Sequence, residues 1–166
     1  MPKTMPALSR LASPETLRRA WSVLRHAPGG GVLLGQILGN LAPYTGTIRP
    51  EILELEQGYV RVRMRDRRRV RNHLNSVHAI ALMNLGEVAT GVAVMSSLSE
   101  GMRGIITHLE MDYLKKARGP ITAECRASLP AHDERMELDV TADLHDEAGE
   151  VVARARARWL VGPTTR

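Results

Sequence analysis

The chain has 166 residues, a formal net charge of +5 and one cysteine. A single cysteine excludes an internal disulfide, and the N-terminus lacks the long apolar run of a signal peptide, so we expect a cytoplasmic protein with no membrane-spanning segment. The chain has two Trp, three Tyr and no Phe, too few stacking side chains to predict specific nucleic-acid binding. Its six histidines are scattered and have no metal-ligand spacing, so we expect no metal site. We also expect that no cofactor is required.

Residues 1–43 are predicted to form a helical extension. A Ser-Pro-Glu sequence at residues 13–15 combines a helix cap, a proline at the first helical position and an acid in the first turn. An apolar stripe follows to about His26, where a proline and three glycines end it. A second apolar segment, residues 32–41, has the length of a short helix that the next proline closes. We expect this extension to pack on one domain formed by residues 44–163.

After the extension, the hydrophobic pattern changes to period two, which is typical of strands with one buried face. Two short runs predict a hairpin whose first strand places Leu53 and Leu55 on one face. Four longer runs follow a helical segment, and the first of these places four side chains on one face, namely Thr107, Leu109, Met111 and Tyr113. The predicted strands are residues 53–56, 59–66, 105–115, 121–129, 136–144 and 151–161.

The helical segment between these strands, residues 77–94, is apolar except for one charge, Glu87. Such a helix should be buried, and an antiparallel sheet needs one element of this kind to cover a face. Burying a lone carboxylate costs several kcal/mol unless it is paired, and burial raises its pKa toward the range that suits a general base. The alternatives are a solvent-facing line on the helix or a silent pair with an arginine.

A polar cluster, residues 72–78, comes just before this helix. Its amide, imidazole and hydroxyl groups lie where free backbone N–H groups and the helix dipole favour negative charge. Ordinary capping by Asn75 or Ser76 would account for one or two of these side chains. It would leave Asn72 and His78 without a structural explanation.

The spacing of Asn72, His78 and Glu87 resembles the helix motif of hotdog-fold acyl-CoA thioesterases of the PaaI-like type. That motif has an Asn, a His-Gly-Gly step at the helix start, and an acid two and a half turns later. Here Ala79 and Ile80 replace the glycines and Glu replaces the commoner Asp, which is similar to an uncharacterised bacterial branch of the superfamily. The resemblance covers roughly residues 15–163. It implies an α+β hotdog fold, with an antiparallel sheet of five to six strands around one long central helix.

The resemblance also implies a mechanism. In similar enzymes the site lies between two subunits, so a homodimer or a tetramer of such dimers is expected. Glu87 would activate a water or attack the thioester carbon, and Asn72 and the backbone N–H of Ala79 would hold the carbonyl oxygen. His78 would orient the site or the substrate, and Thr107 would help to position the water. The products would be a carboxylic acid and coenzyme A.

A run of arginines leads into the polar cluster. Its first part alternates with apolar residues, as in a strand with one solvated face, and its second part, residues 67–71, predicts a loop. Arginine binds phosphate by bidentate hydrogen bonds, so this loop is a candidate to bind the phosphates of coenzyme A. The alternative is ordinary solvated charge. The candidates for phosphate binding are Arg68, Arg69, Lys115, Lys116 and Arg118.

Two other functions stay open at this stage. A protein that binds acyl-CoA or another lipid without chemistry is favoured by Ala79 and Ile80, because they replace the glycines of the motif. A hotdog dehydratase or hydratase would also use a His and an acid, but the Gly-His-Phe-Pro and Pro-Gly-Val segments of such dehydratases are absent. Release of free thiol from acyl-CoA separates a hydrolase from a binding protein.

Overall fold

Six strands form one antiparallel sheet in the computed structural model, which describes residues 13–128 and 134–164. The order across the sheet is β1-β2-β4-β5-β6-β3, so β1 and β3 form its two edges. Each predicted strand is confirmed within a few residues, except that Leu129, the predicted end of one strand, lies outside the described residues. The strands are β1 Glu51–Glu56, β2 Tyr59–Met64, β3 Met102–Tyr113, β4 Ile121–Arg126, β5 Met136–His145 and β6 Val151–Pro163.

One face of the sheet wraps around a long helix, Ala79–Ser97, which is the fourth α-helix in the described part of the chain and is called α4. Leu85, Ala89, Ala93 and Val94 on this helix have no exposed surface. Small side chains bring the helix close to the strands. A Cβ added at Gly86, for example, would lie only 2.6 Å from Cβ of Ala155 on β6. A curled antiparallel sheet around one buried helix is the hotdog arrangement, so the predicted fold class is confirmed.

The same helix corrects one expectation from the sequence. Within the described residues, α4 is the one helix long and apolar enough to cross a membrane, with a mean hydropathy of 1.5. We expected no segment of this kind. However, 67% of that stretch is buried inside the protein, as is typical of the core helix of a globular fold.

From residue 13 onward, where the structure describes the chain, three shorter helices precede the sheet: α1 Pro14–Leu24, α2 Gly30–Leu41 and α3 Pro43–Gly46. Ser13 caps α1 by accepting a hydrogen bond from the backbone N–H of Thr16 at 3.2 Å, as the sequence predicts. The backbone of α2 touches β1 so closely that a Cβ at Gly31 would clash with the carbonyl of Ile52. The helix therefore lies against the β1 edge. The division of the chain at residue 43 stays a prediction.

Two bulges correct the predicted faces of the strands. In β1 the register shifts between Ile52 and Glu54, so Ile52 and Leu55 are buried while Leu53 is only partly buried. In β3 the shift lies between Ile106 and His108. An extra residue in one strand reverses the facing of every side chain on one side of the bulge. The predicted faces of Leu53 and Thr107 were therefore wrong.

Candidate active site

Glu87 lies on the one open line of α4. Met83, Glu87, Gly91 and Met95 are partly exposed, whereas most of the helix between them is buried. A spacing of four residues places these side chains along one side of a helix. The line is apolar except for Glu87. The predicted buried helix is therefore confirmed, but Glu87 itself lies on the open line that the sequence left as an alternative, and it is only partly buried there.

The carboxylate of Glu87 lines an apolar cavity of about 200 Å³. Within residues 13–128 and 134–164, no side chain forms an ion pair or a hydrogen bond with it. Burial raises the pKa of Glu87 above its ordinary value, because an uncompensated charge is disfavoured among apolar groups. The silent arginine pair considered from the sequence is therefore absent in this part of the chain. The other lining residues are Leu17, Leu38, Leu41, Ala42, Thr45, Val88, Gly91, Val92, Met95 and Trp159.

Trp159 on β6 forms part of the cavity wall next to Gly91. A Cβ added at Gly91 would lie 3.1 Å from Cη2 of Trp159 and 4.0 Å from Oε1 of Glu87. Gly91 therefore leaves the space that the indole and the carboxylate share. The indole Nε1 of Trp159 is buried and has no hydrogen-bond partner within the described residues.

Asn72 holds together the loop before α4. Its Oδ1 accepts hydrogen bonds from the backbone N–H of Leu74 at 2.9 Å, and from the N–H and hydroxyl of Ser76 at 3.2 and 3.1 Å. These bonds fix the orientation of the amide and leave Nδ2 without a partner in the described chain. Asn72 thus has a structural role that the sequence did not indicate. One donor group of its side chain remains available.

His78, rather than Asn75 or Ser76, caps α4, which corrects the capping considered from the sequence. Its Nδ1 accepts a hydrogen bond from the backbone N–H of Ile80 at 3.1 Å. In the neutral imidazole the proton is therefore on Nε2. The next residue, Ala79, is the first of the helix, and within the described residues its N–H donates to no acceptor. This N–H is the unsatisfied donor that a helix start leaves free.

Tyr113 is a neighbour of the helix start that the sequence analysis did not single out. It lies at the end of β3, and its hydroxyl donates a hydrogen bond to the carbonyl of Ala79 at 3.1 Å. Burial raises the pKa of Tyr113. The sequence predicts Tyr113 on the same face of its strand as Leu109 and Met111, which pack against the core. This shared face could have indicated that Tyr113 lies near the central helix.

The structure thus brings Asn72, His78 and Ala79 together at one end of α4, with Glu87 on the same helix. Eight residues separate Ala79 from Glu87, a rise of about 12 Å along the helix axis. Thr107 is not part of this group. It is exposed at the β3 bulge, and its hydroxyl donates to the carbonyl of Arg158 at 3.2 Å.

The predicted phosphate-binding cations lie in two neighbouring loops. The loop that contains Lys116 and Arg118 contacts the polar cluster through a hydrogen bond from Val77 N–H to Ala117 C=O at 2.9 Å. Arg68, Arg69, Lys116 and Arg118 are exposed. Lys115, in contrast, forms ion pairs with Asp146 and Glu150. Arg69 and His78 line a cleft of about 370 Å³ beside the start of α4.

Metal chemistry and nucleophilic catalysis by a cysteine have little support in the described residues. No group of three His, Cys, Asp or Glu side chains there is arranged to hold a metal ion. Cys125 is buried, and burial raises the pKa of its thiol to about 12. A thiol in such surroundings is a poor nucleophile.

The sheet, the central helix and the carboxylate cavity define a hotdog-fold protein. The family described as "Domain of unknown function (DUF4442)" matches residues 30–161, and the chain belongs to this family. No curated protein matches the sequence.

Solved structures show the same architecture. A structural-genomics protein is 29% identical with a TM-score of 0.77, and the alignment covers 89% of this chain and 99% of that one. A Pseudomonas aeruginosa protein, described as of unknown function and a probable thioesterase, is 25% identical with a TM-score of 0.70, covering 83% and 97%. A thioesterase from Haemophilus influenzae is 16% identical, with a TM-score of 0.68 and coverage of 79% and 92%, and it supports the fold alone.

Proposed function

We propose that the protein hydrolyses acyl-CoA thioesters and that Glu87 is the general base or the nucleophile. The observation that carries this proposal is an unpaired, partly buried carboxylate in an apolar cavity. A carboxylate with a raised pKa is a stronger base than an exposed one, and it has an acyl-sized space beside it. The similar P. aeruginosa protein described as a probable thioesterase supports the same reaction class.

The proposed site needs two copies of the chain. A thioester group must lie within hydrogen-bonding distance of its oxyanion donors and within about 3 Å of the attacking group. Within one chain, the backbones of Ala79 and Glu87 are about 12 Å apart along the helix axis, too far for both groups to reach one thioester carbonyl. We therefore propose a homodimer in which Glu87 of one protomer faces the start of α4 in its partner.

The edge strand β3 is the proposed dimer contact. It has twelve residues, and β6 is its one partner in the sheet. Long unpaired edges invite pairing with another chain, and Ile105 on this strand is 62% exposed. The opposite edge, β1, is covered by α2, as the close approach of Gly31 to Ile52 shows. Pairing through β3 would place Trp159 of β6, which lines the Glu87 cavity, one strand away from the partner.

The groups at the helix start have proposed roles in the reaction. The Ala79 N–H and Nδ2 of Asn72 are donors without partners in the described chain, and they would stabilise the oxyanion that forms when the carbonyl is attacked. His78, protonated on Nε2, would orient the substrate. We assign no role to Thr107, because its hydroxyl already donates to the backbone of β6.

The acyl group and the coenzyme A phosphates of the substrate would bind to different parts of the protein. A cavity of 150 Å³ with apolar walls is known to accommodate benzene, so the 200 Å³ beside Glu87 would take an acyl group of phenyl size or slightly larger. The coenzyme A phosphates would meet Arg68, Arg69, Lys116 and Arg118. Lys115 is a weaker candidate because its ammonium is already paired with Asp146.

The proposal is tested by measuring thiol release from a panel of acyl-CoAs. We expect Glu87→Gln to lower kcat on the order of 10³-fold while the fold is retained. Glu100→Gln removes an exposed carboxylate beyond the end of α4 and is the matched control. Turnover by the Glu87→Gln variant at the wild-type rate would contradict the role of Glu87.

The shared site has a separate test. Ala79→Pro removes a single N–H at the first helical position, where proline is tolerated, and the extended backbone of His78 (φ −66°, ψ 138°) suits a residue before proline. We expect a loss of roughly 10²-fold in kcat. Mixing the Ala79→Pro and Glu87→Gln chains should restore about one quarter of wild-type activity, because each mixed dimer contains one intact site. A site within one chain would show no recovery.

The second candidate function is acyl-CoA binding without chemistry. The observation that favours it is the replacement of the motif glycines by Ala79 and by Ile80, whose side chain is 49% exposed at the helix start. Thermal stabilisation by acyl-CoA without thiol release would establish this function in place of hydrolysis.

A further inference from the structure

A second cleft lies on the other side of α3 from the Glu87 cavity. Its volume is about 820 Å³, within the usual range for small-molecule sites. Ala42, which caps α3, and Thr45 line the Glu87 cavity, whereas Pro43 and Gly46 of the same helix line the second cleft. The two spaces therefore share one thin wall but have different chemistry.

The second cleft is basic. Three arginines line it, Arg49, Arg65 and Arg67, against one carboxylate, Glu51. That carboxylate is already occupied, because it accepts hydrogen bonds from Arg63 at 3.0 Å and from Arg65 at 3.2 Å. Burial raises the pKa of Glu51, but these two guanidinium groups outweigh burial and lower it. The remaining positive charge of the cleft has no acidic partner in the described residues.

The two arginines left over are held in different ways. Arg67 is partly buried, and its Nη2 donates to the carbonyls of Ile48 at 2.7 Å and Thr47 at 3.3 Å. Burial lowers the pKa of Arg67, and the nearby charges of Arg49 and Arg69 lower it further. Arg49 has a left-handed backbone with φ of +49° and donates no side-chain hydrogen bond within the described part of the chain. Arg49 is exposed, and Arg67 is partly buried. Neighbouring like charges of this kind are stabilised by a bound anion.

The size of the cleft and its polar groups narrow the class of anion. Guanidinium groups bind phosphate oxygens in a bidentate manner. A single phosphate would fill only a small part of 820 Å³, and the side-chain amides of Gln36 and Asn40 extend the polar lining beyond the arginines. We propose that this cleft binds the pyrophosphate group of a nucleotide through Arg49 and Arg67. The nucleotide is either a free nucleoside diphosphate or the nucleotide part of coenzyme A.

This site is separate from the loop cations proposed above to meet coenzyme A. Arg68, Lys116 and Arg118 do not line the basic cleft. The inference concerns binding alone and does not rest on hydrolysis by Glu87. A protein without thioesterase activity would therefore still be expected to bind the nucleotide.

The test is direct titration of the full-length chain with ADP, free coenzyme A and inorganic pyrophosphate, followed by calorimetry and thermal shift. Arg49→Gln is the main variant, because the Arg49 side chain holds no other described group. We expect it to weaken nucleotide binding about tenfold or more. Arg67→Gln should act in the same direction, provided that circular dichroism shows a folded chain. Arg19→Gln, an exposed arginine on α1, is the matched control and should change affinity less than twofold.

Competition identifies the source of the pyrophosphate. If ADP and coenzyme A displace each other from the Arg49-dependent site, the nucleotide part of coenzyme A fits the cleft. If ADP binds there and coenzyme A does not displace it, the ligand is a free nucleotide. Both results support the inference. Absence of binding, or binding that Arg49→Gln leaves unchanged, would overturn it.

Discussion

The two sides of α4 are built from similar small and aliphatic residues, but they have different neighbours. The side facing the sheet, with Leu85 and Gly86, is closed by β3, β5 and β6. The other side, with Glu87, Gly91 and Met95, faces a cavity formed mainly by the N-terminal helices. A carboxylate is present on the second side alone. The comparison indicates that α4 combines a packing surface with a surface that holds an unpaired carboxylate. The polar side chain of Ser96, which α4 directs at the β1–β2 turn, is instead hydrogen-bonded to the backbone of Glu56 and Gly58.

The largest expected effect on the free energy of unfolding comes from placing a glutamine on each side of α4 in turn. Leu85→Gln buries an amide among the strands and removes a side chain with no exposed surface, so we expect a loss of about 3 to 4 kcal/mol in the free energy of unfolding. Met83→Gln places an amide of nearly the original shape on the open line and should cost less than about 1 kcal/mol. Urea unfolding measures both. Equal losses would show that the two sides are alike.

The sequence predicted most of α4 and its single carboxylate, because a long apolar run is a strong local signal. An apolar run with one carboxylate predicts a buried helix with an exceptional residue, and Glu87 lies in such a place. The strands were found from their period-two alternation. The bulges at Leu53 and Thr107 were not, because one extra residue in a strand leaves no mark in a single sequence. Their consequence was a wrong face for both residues.

The surroundings of the site were harder to predict. His78 is not among the side chains that favour helix caps, so its bond to the Ile80 N–H had no sequence signal. The cavity depends on Leu17 and Leu38, which approach Glu87 only after the chain has folded. The basic cleft likewise combines Gln36 with Arg67, from elements far apart in the sequence. Long-range packing of this kind leaves no local pattern.

A smaller effect separates the two glycines of the helix. A Cβ at Gly86 would lie 2.6 Å from Cβ of Ala155 on the sheet, which cannot yield, so Gly86→Ala should lower the free energy of unfolding by about 2 kcal/mol despite better helix propensity. A Cβ at Gly91 meets the Trp159 ring at 3.1 Å, and the ring borders a cavity into which it can move. Gly91→Ala should change stability by less than about 0.5 kcal/mol.

Gly91→Ala should instead change the substrate preference of the proposed enzyme. The displaced indole narrows the cavity, so KM for the larger acyl groups should increase relative to KM for acetyl-CoA. A uniform change in KM across the panel would contradict the assignment of this cavity to the acyl group. A loss of stability as large as that of Gly86→Ala would show that Trp159 is fixed in place.

The smallest expected effect is the loss in the free energy of unfolding that results from a charged Glu87 in its apolar cavity. Its folded-state pKa is raised by burial, so between the ordinary carboxyl pKa and the raised one, the folded chain holds a proton that the unfolded chain has released. The free energy of unfolding of the wild type therefore falls as the pH rises through this window. Glu87→Gln carries no such charge and should be more stable at pH 8, by on the order of 1 kcal/mol. In thermal unfolding this corresponds to about 2 to 4 °C in Tm.

The advantage of Glu87→Gln should disappear as the pH falls below the ordinary carboxyl pKa, where the wild-type side chain is neutral in both states. Glu100→Gln removes an exposed carboxylate and, measured at the same pH values, serves as the control. A constant difference between Glu87→Gln and the wild type at every pH would mean that shape, rather than charge, decides the stability of this position. The carboxylate would then be solvated, and the open side of α4 would lose the property that distinguishes it from the side facing the sheet.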